Sequence, residues 1–490
     1  MDTRFAISEY NDAVAVNKEL DELIKKPIYT IKPEALKKYE DEYYNKKCLK
    51  SKAQIEEARQ IIPGGVQHNL AFNYPFPLVF TKAEGAYLYD VDGNKYFDFL
   101  QAGGPTVLGS NPKAVREQVI DLLNTCGPST GLFHEFEYKL AKKISDSIET
   151  VDMFRMMGSG TEACMGAARI ARLATKHKNI IKMGGAYHGW SDQMAYGIRV
   201  NGTKFTQAHG VPLNCFMFIQ GTTPNDLDEL ERKLRLNQFR GGTAAVYMEP
   251  VGPESGTTPI TVEYVKGVER LCRKYGALLV FDEVVTGFRI GMAGAQGYFG
   301  VSPDLTIFGK VIAGGYPGAG GKREYMKYLG AGLDSSGKKI HKALVGGTMT
   351  ANPLSCCAGY FTLEEIERTN ACQKAGQMGD RICAGLKELV KKHGLPFVVW
   401  NTGSICHLET VGTMHYQINW KKPWEIPAIL GETGVRQKEM EHMGAAYMAE
   451  GLVTLAGSRL YTSAAYTPKM IDQALACFDR VFENVAVKAD

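Results

Sequence analysis

No stretch of this chain approaches the roughly 18 consecutive apolar residues of a membrane-crossing helix, so none is expected. Excess charge of one sign is also lacking. Fifty-seven Lys and Arg against 53 Asp and Glu leave +4 over 490 residues, which argues against a dedicated nucleic-acid or polybasic membrane surface. The N-terminus, Met1-Asp-Thr-Arg-Phe-Ala6, has no apolar signal core, and secretion is not expected. The 11 cysteines are odd in number and scattered, with no C-x-x-C. That pattern fits free thiols in a reducing cytoplasm rather than a disulfide framework or a zinc site. Cys356-Cys357, the one close pair, reads as small residues packing a helix.

Two nucleotide signatures are missing as well. Leu278-Leu-Val-Phe-Asp-Glu283 has the form of the strand that ATPases pair with G-x-x-x-x-G-K-[ST]. The nearest approach to that loop is Gly320-Gly-Lys-Arg323, with Tyr316 for the first glycine and Arg323 for Ser/Thr. No G-x-G-x-x-G follows a first strand either.

What is present is an α/β pattern too long for one core. Residues 1–57 are rich in Lys, Glu and Tyr, and Val16, Leu20, Leu23 and Ile24 share one helical face. They read as a helical extension packing on a lobe or a partner subunit. Residues 58–114 open a smaller α+β domain, with a hairpin over 78–99 turning at Asp92-Gly93. Residues 115–355 alternate helical patterns with short apolar runs at Met153–Met157, Ile180–Met183, Ala245–Met248, Leu278–Phe281 and Leu305–Phe308. Such runs predict a large domain with a mostly parallel sheet covered on both faces. Residues 356–490 complete the smaller domain, with a short strand over Gly403–Glu409.

Within that pattern Lys310 stands out. It ends the apolar run Leu305-Thr-Ile-Phe-Gly-Lys310 and precedes small residues, an unusual setting for an ammonium. Asp282 likewise ends a buried-strand pattern. In parallel sheets ligands sit at such carboxyl ends. An amine able to form a Schiff base and a carboxylate able to hold a pyridinium point to pyridoxal phosphate (PLP). An ionised Asp282 would keep the ring nitrogen protonated, Val284 would pack on one ring face, and Tyr187 of Tyr187-His188-Gly189 would stack on the other. Gly158-Ser-Gly-Thr-Glu-Ala163 follows a strand and opens a helix. Ser159 and Glu162 have capping-box spacing, and Ser159, Gly160 and Thr161 would cradle a phosphate at the helix N-terminus.

These segments, with Glu249-Pro250, Asp282-Glu-Val-Val-Thr-Gly-Phe-Arg289, Gly309-Lys310, Gly346-Gly-Thr348 and Asn352-Pro353, resemble class III PLP-dependent aminotransferases in order and spacing. The likeness spans roughly residues 58–485 and is strongest to glutamate-1-semialdehyde 2,1-aminomutase-like proteins. Pro75-Phe-Pro-Leu78 is also similar to phenylalanine-type β-amino-acid aminotransferases. The resemblance implies fold type I and a homodimer with a shared active site acting on small amino and oxo substrates. It implies that Lys310 carries the Schiff base and moves protons, with Glu249 near the cofactor's phenolic oxygen. Thr348 would reach the cofactor phosphate of the neighbouring subunit, and His188 would be structural.

The chain departs from the aminomutase pattern where a substrate carboxylate would be held. Pro63-Gly-Gly-Val-Gln-His-Asn-Leu-Ala-Phe72 contains no arginine, Glu254 stands where an Asn is usual, and no acidic residue is evident in Leu455–Tyr461. Gln67, His68, Asn69, Phe72, Tyr74 and Trp190 are candidate pocket residues, and Arg459 is a candidate carboxylate partner. Amino-group transfer is the leading reading. An aminomutase, an amino-acid racemase and a non-catalytic PLP-fold binding protein remain alternatives.

Overall fold

Four of the five continuous apolar segments form the middle of one sheet in the computed structural model, and the fifth, Met153–Met156, lies half-exposed at its edge; the structure describes residues 4–71, 73–198, 208–313, 318–330, 341–416, 422–455 and 457–488. Seven strands lie side by side: β1 (Met153–Met156), β2 (Asn179–Met183), β3 (Ile219–Thr222), β4 (Thr243–Met248), β5 (Leu278–Asp282), β6 (Leu305–Phe308) and β7 (Gly318–Gly321). Their spatial order is β1-β7-β6-β5-β4-β2-β3. Strands β2 to β6 pair in parallel, whereas β7 runs antiparallel to both β6 and β1.

Every residue of β2, β4, β5 and β6 is buried, as a sheet with two covered faces requires. The strand period of two divides them between cores. On one face Ile180, Ala245, Tyr247, Val280 and Ile307 pack against Ala163, Ala167, Ile170 and Ala171 of α1 (Gly160–Thr175). On the other, Ile181, Val246, Leu279 and Phe281 meet Leu230 and Leu234 of α2 (Leu227–Asn237) and Val265 and Val268 of α3 (Val262–Tyr275).

Two strands of this sheet carry no apolar run. β3 is an edge strand containing Gln220 and Gly221. β7 is Gly-Ala-Gly-Gly, inserted between β6 and β1. A Cβ on Gly321 would lie 2.5 Å from the Asp304 carbonyl oxygen, so close backbone approach excludes larger residues there.

The predicted hairpin forms with Tyr87–Asp90 and Lys95–Asp98 paired antiparallel, and Gly93 adopts φ +92° in the turn. Leu452–Val453 joins this sheet alongside Lys95–Asp98. A separate antiparallel sheet contains Val398–Thr402, Ile405–Glu409 and Arg459–Tyr461. Its core joins Phe99, Ile382, Leu408, Tyr447, Leu460 and Phe478.

The N-terminal face predicted from Val16, Leu20, Leu23 and Ile24 is a helix over Ala13–Leu23, with Ile24 just past its end. Leu20 and Leu23 bury against Val398 and Trp400. The segment is not purely helical. Tyr29–Ile31 pairs antiparallel with Val485–Val487, which ties the two ends of the chain together.

The sheet's sandwiching makes a direct prediction. Leu279→Ala removes a fully buried side chain between β5 and the outer helices and should cost about 2–5 kcal/mol. Val14→Ala, at an exposed position, should stay within about 0.5 kcal/mol. Urea unfolding midpoints measure both, and equal effects would contradict this packing.

Candidate active site

Five of the candidate segments converge at the carboxyl edge of the parallel strands, where such sheets bind ligands. Asp282 ends β5 and Lys310 follows β6, while Asp282 pairs in register with Ile307. Register therefore sets the carboxylate opposite Ile307, three residues before the amine.

Asp282 is buried, and its Oδ2 lies 2.7 Å from His188 Nδ1 and 3.7 Å from Cys164 Sγ. Its Oδ1 accepts a hydrogen bond from the Val284 N–H at 3.1 Å. The His188 ring is held below the ordinary histidine range by burial, against the upward pull of Asp282. A neutral ring donating from Nδ1 fits this arrangement. Arg289, seven residues on, does not pair with Asp282. Its guanidinium donates to the carbonyl of Gly104 at 2.6 and 2.9 Å, to Ser404 Oγ at 2.9 Å and to the Thr462 carbonyl at 3.0 Å.

The loop carrying Tyr187 and His188 is tied down by Lys182, a residue the sequence reading passed over. Lys182 lies within β2, fully buried, and donates to the carbonyls of Ala186 at 3.0 Å and Met194 at 2.9 Å. Burial pulls its ammonium down to about 8. A lysine inside the apolar run Ile180-Ile-Lys-Met183 was itself the available signal, because a buried cation needs partners.

At the opening of α1, Ser159 Oγ accepts from the Glu162 N–H at 3.2 Å. Glu162 reaches back to the Gly158 N–H at 2.7 Å rather than to Ser159, so the expected capping box is displaced by one residue. The first N–H groups of the helix, at Gly160 and Thr161, have no intrahelical acceptor and suit a phosphate dianion. Thr161 Oγ1 accepts from the Trp190 N–H at 3.3 Å. Gly189, at φ +91°, sits so close that a Cβ would collide with Thr161. Val284 borders the same spot, its Cγ2 lying 3.6 Å from the place of a Cβ on Gly160.

Lys310 adopts φ +47° at the start of a short 3-10 turn (Lys310–Ala313). It makes no hydrogen bond or ion pair with any described residue. Its side chain runs over Gly103 and Gly104. A Cβ on Gly104 would lie 3.3 Å from Lys310 Cδ and 3.7 Å from the Tyr461 ring, and one on Gly103 would lie 4.0 Å from Nζ. These glycines are further residues of the site that sequence reasoning missed.

Glu249, after β4, is buried and accepts from the Tyr187 N–H at 3.1 Å, the Glu254 N–H at 2.8 Å, and the Ser255 N–H and hydroxyl. Burial first, then the charges of Asp282 and Glu254, push its carboxyl up to about 8. The turn it holds contains Glu254 at φ +45° and Ser255 at φ +54°, two consecutive left-handed non-glycine residues. Arg459 donates from Nη2 to Glu254 Oε2 at 3.2 Å and to Thr257 Oγ1 at 3.0 Å. Its buried Nε has no hydrogen-bond partner among the described residues.

The remaining candidates are dispersed. The Tyr187 and Trp190 rings are exposed. Thr348 is exposed on a segment that packs against α1 through Val345 and Gly347. Gln67 and Asn69 are exposed, and His68 Nδ1 accepts from the Leu70 N–H at 3.0 Å, closing its own turn. Tyr74 turns away from Lys310: its hydroxyl bonds Glu40 and its ring meets His442 at 5.0 Å. Phe72 lies outside the described residues.

A family model described as aminotransferase class-III matches residues 70–456. The chain belongs to the class-III aminotransferase family. Solved structures agree in fold. An omega-transaminase from Sphaerobacter thermophilus is 25% identical, with TM-score 0.77, covering 90% of this chain and 99% of its own. A β-phenylalanine aminotransferase from Variovorax paradoxus is 24% identical, with TM-score 0.75 and coverages of 91% and 96%. A glutamate-1-semialdehyde-aminomutase from Pseudomonas aeruginosa PAO1 is 20% identical, with TM-score 0.76 and coverages of 95% and 98%. Class-III aminotransferases depend on PLP and act on small substrates. The residues present fit that cofactor: an open helix N-terminus, a buried carboxylate and an amine without a partner among the described residues lie at one sheet edge. No helix among the described residues is long and apolar enough to cross a membrane.

The aminotransferase should show Glu249 in its pH dependence. Its raised carboxyl favours the protonated native state, so this contribution to stability is complete below about 4.5 and is lost as pH rises through about 8. Glu249→Gln should flatten that decline, measured as the unfolding midpoint of the cofactor-free protein across this range. An unchanged slope would contradict it.

Proposed function

We propose that this aminotransferase moves an amino group from an amino acid, β-amino acid or amine to an oxo acceptor, with Lys310 as the residue that links the cofactor and moves the proton. The observation that carries this reading is that Lys310, just past the strand next to Asp282's, has no hydrogen-bond or ion-pair partner among the described residues. Bound PLP supplies an aldehyde that links covalently to amines and a ring that takes up an electron pair. Asp282, steadied by His188, holds the ring nitrogen. Ser159, Gly160 and Thr161 hold the phosphate, Tyr187 and Val284 flank the ring, and Glu249 fixes the Tyr187 backbone. With the cofactor bound, Lys310 Nζ would be the base that takes the proton from the substrate carbon bearing the amino group and the acid that returns it.

Thr348, exposed in the single chain, fits a role toward a second subunit, and we take the working form to be a homodimer with shared active sites. The 11 cysteines are free, which supports a cytoplasmic location. A large PLP-binding domain over 115–355, flanked by a small domain of 58–114 and 356–490, suits the sheet arrangement.

Amino donors added singly test the reading. A competent donor should convert the bound cofactor to pyridoxamine phosphate, and an oxo acid should reverse this. Formation of an isomerised product without any acceptor would favour an aminomutase instead.

Arg459 supplies the cation for a substrate carboxylate once Glu254 yields it. Arg459→Gln should raise KM for carboxylate-bearing donors by about ten- to a hundredfold, the range of a lost hydrogen bond to a charged group. Simple amines should change little. Equal losses for both classes would remove Arg459 from substrate binding.

A further inference from the structure

The turn that lacks the aminomutase arginine nevertheless borders the space at Lys310, through Leu70. Gly103, at φ +83°, leaves a notch where a Cβ would lie 3.1 Å from Leu70 Cδ1 and 4.0 Å from Lys310 Nζ. A leucine methyl and the reactive amine thus face the same small space. Leu70 is 37% exposed and belongs to none of the apolar cores.

Leu70 is held in place from both sides. Its turn, Asn69–Ala71, is closed by the Leu70 N–H on His68 Nδ1 and the Ala71 N–H on the His68 carbonyl at 2.9 Å. Upstream, Gly65 packs against the helix Leu49–Ala58, where a Cβ would lie 2.9 Å from Arg59 Cγ and 3.3 Å from the Ile55 carbonyl. That helix is pinned in turn by Asp92, whose carboxylate accepts from the N–H groups of Lys50 at 2.8 Å and Ser51 at 3.0 Å and from Ser51 Oγ at 2.7 Å. Downstream, Tyr74 is anchored on Glu40 and His442. Tyr44 and Cys48 bury with Phe76, Leu78 and Tyr96 beneath it. Residues 40–58 therefore brace the turn, a use for the N-terminal segment that its sequence did not disclose.

The segment around the turn is uncharged, and Leu70 is the apolar side chain it turns toward the notch. Residues 63–71 contain no Lys, Arg, Asp or Glu, and the one histidine ring is occupied in its own turn. Arg459 approaches from the strand Arg459–Tyr461, whose Tyr461 ring borders the Gly104 side of the Lys310 side chain.

We propose that Leu70, braced by residues 40–58, determines specificity by forming an apolar wall at the Lys310 amine that favours substrates with a hydrophobic arm over those with a second carboxylate. This rests on the assignment of Lys310 as the reacting amine.

Unreactive carboxylic acids test it on the PLP-loaded and the cofactor-free protein, with dissociation constants measured by calorimetry. For straight-chain monocarboxylates the wild-type affinity should rise about fourfold per added methylene where the chain meets the wall. Leu70→Ala should weaken that gain, and Leu70→Arg should shift preference toward dicarboxylates. Glu40→Gln should lessen the chain-length gain without touching Lys310. If both Leu70 variants fold with wild-type melting temperatures yet keep the wild-type chain-length profile, the proposal is overturned. Failure of every donor to aminate the cofactor would instead sink the aminotransferase reading, and the acid profiles would still report on Leu70.

Discussion

A carboxylate buried at the end of a strand must be given partners, and the way Asp282 acquires them governs the rest of the site. His188 supplies the closest one, at 2.7 Å, but arrives on a loop that has to be held. Lys182 ties that loop from beneath through two backbone carbonyls. Glu249 ties it sideways through the Tyr187 N–H. The parallel register of β5 and β6 then fixes where Lys310 emerges relative to Asp282.

The polar residues behind this arrangement break the ordinary rules of burial. Lys182, Glu249 and Arg289 are all removed from solvent. Each is tolerated because backbone groups satisfy it, which a low-dielectric interior demands. Arg289 has a particular consequence. By gripping the Gly104 carbonyl together with Ser404 and Thr462, it secures the floor beneath Lys310 to the sheet that bears Arg459. Lys310, Glu254 and Ser255 also adopt left-handed backbone conformations. Such strain, about 1–3 kcal/mol per residue, persists where rigid surroundings over-determine the chain.

Much of the fold was legible because buried parallel strands announce themselves as apolar runs, as β2, β4, β5 and β6 did, and β1 was read the same way although it lies half-exposed at the sheet edge. β7 could not. Its glycines are selected by the closeness of neighbouring backbones, a property of the packed sheet with no local pattern. Tyr74 and His68 looked like pocket residues because aromatic and imidazole groups near a glycine turn have that composition. Packing sends one to Glu40 and uses the other to close its own turn. Leu70 drew no notice, since a single leucine in a polar turn is indistinguishable from ordinary packing.

By itself, then, the sequence determined the chemistry: an amine and a carboxylate at the ends of buried strands, and a glycine-flanked helix start, are short-range patterns readable from neighbouring residues. The tertiary structure alone decided which groups complete them. His188 meets Asp282 across 94 positions of chain, Arg459 meets Glu254 across 205, and Leu70 and Lys310 border the same notch over the bare backbone of Gly103. Contacts of that range are set by how strands register and turns pack, and no local propensity encodes them.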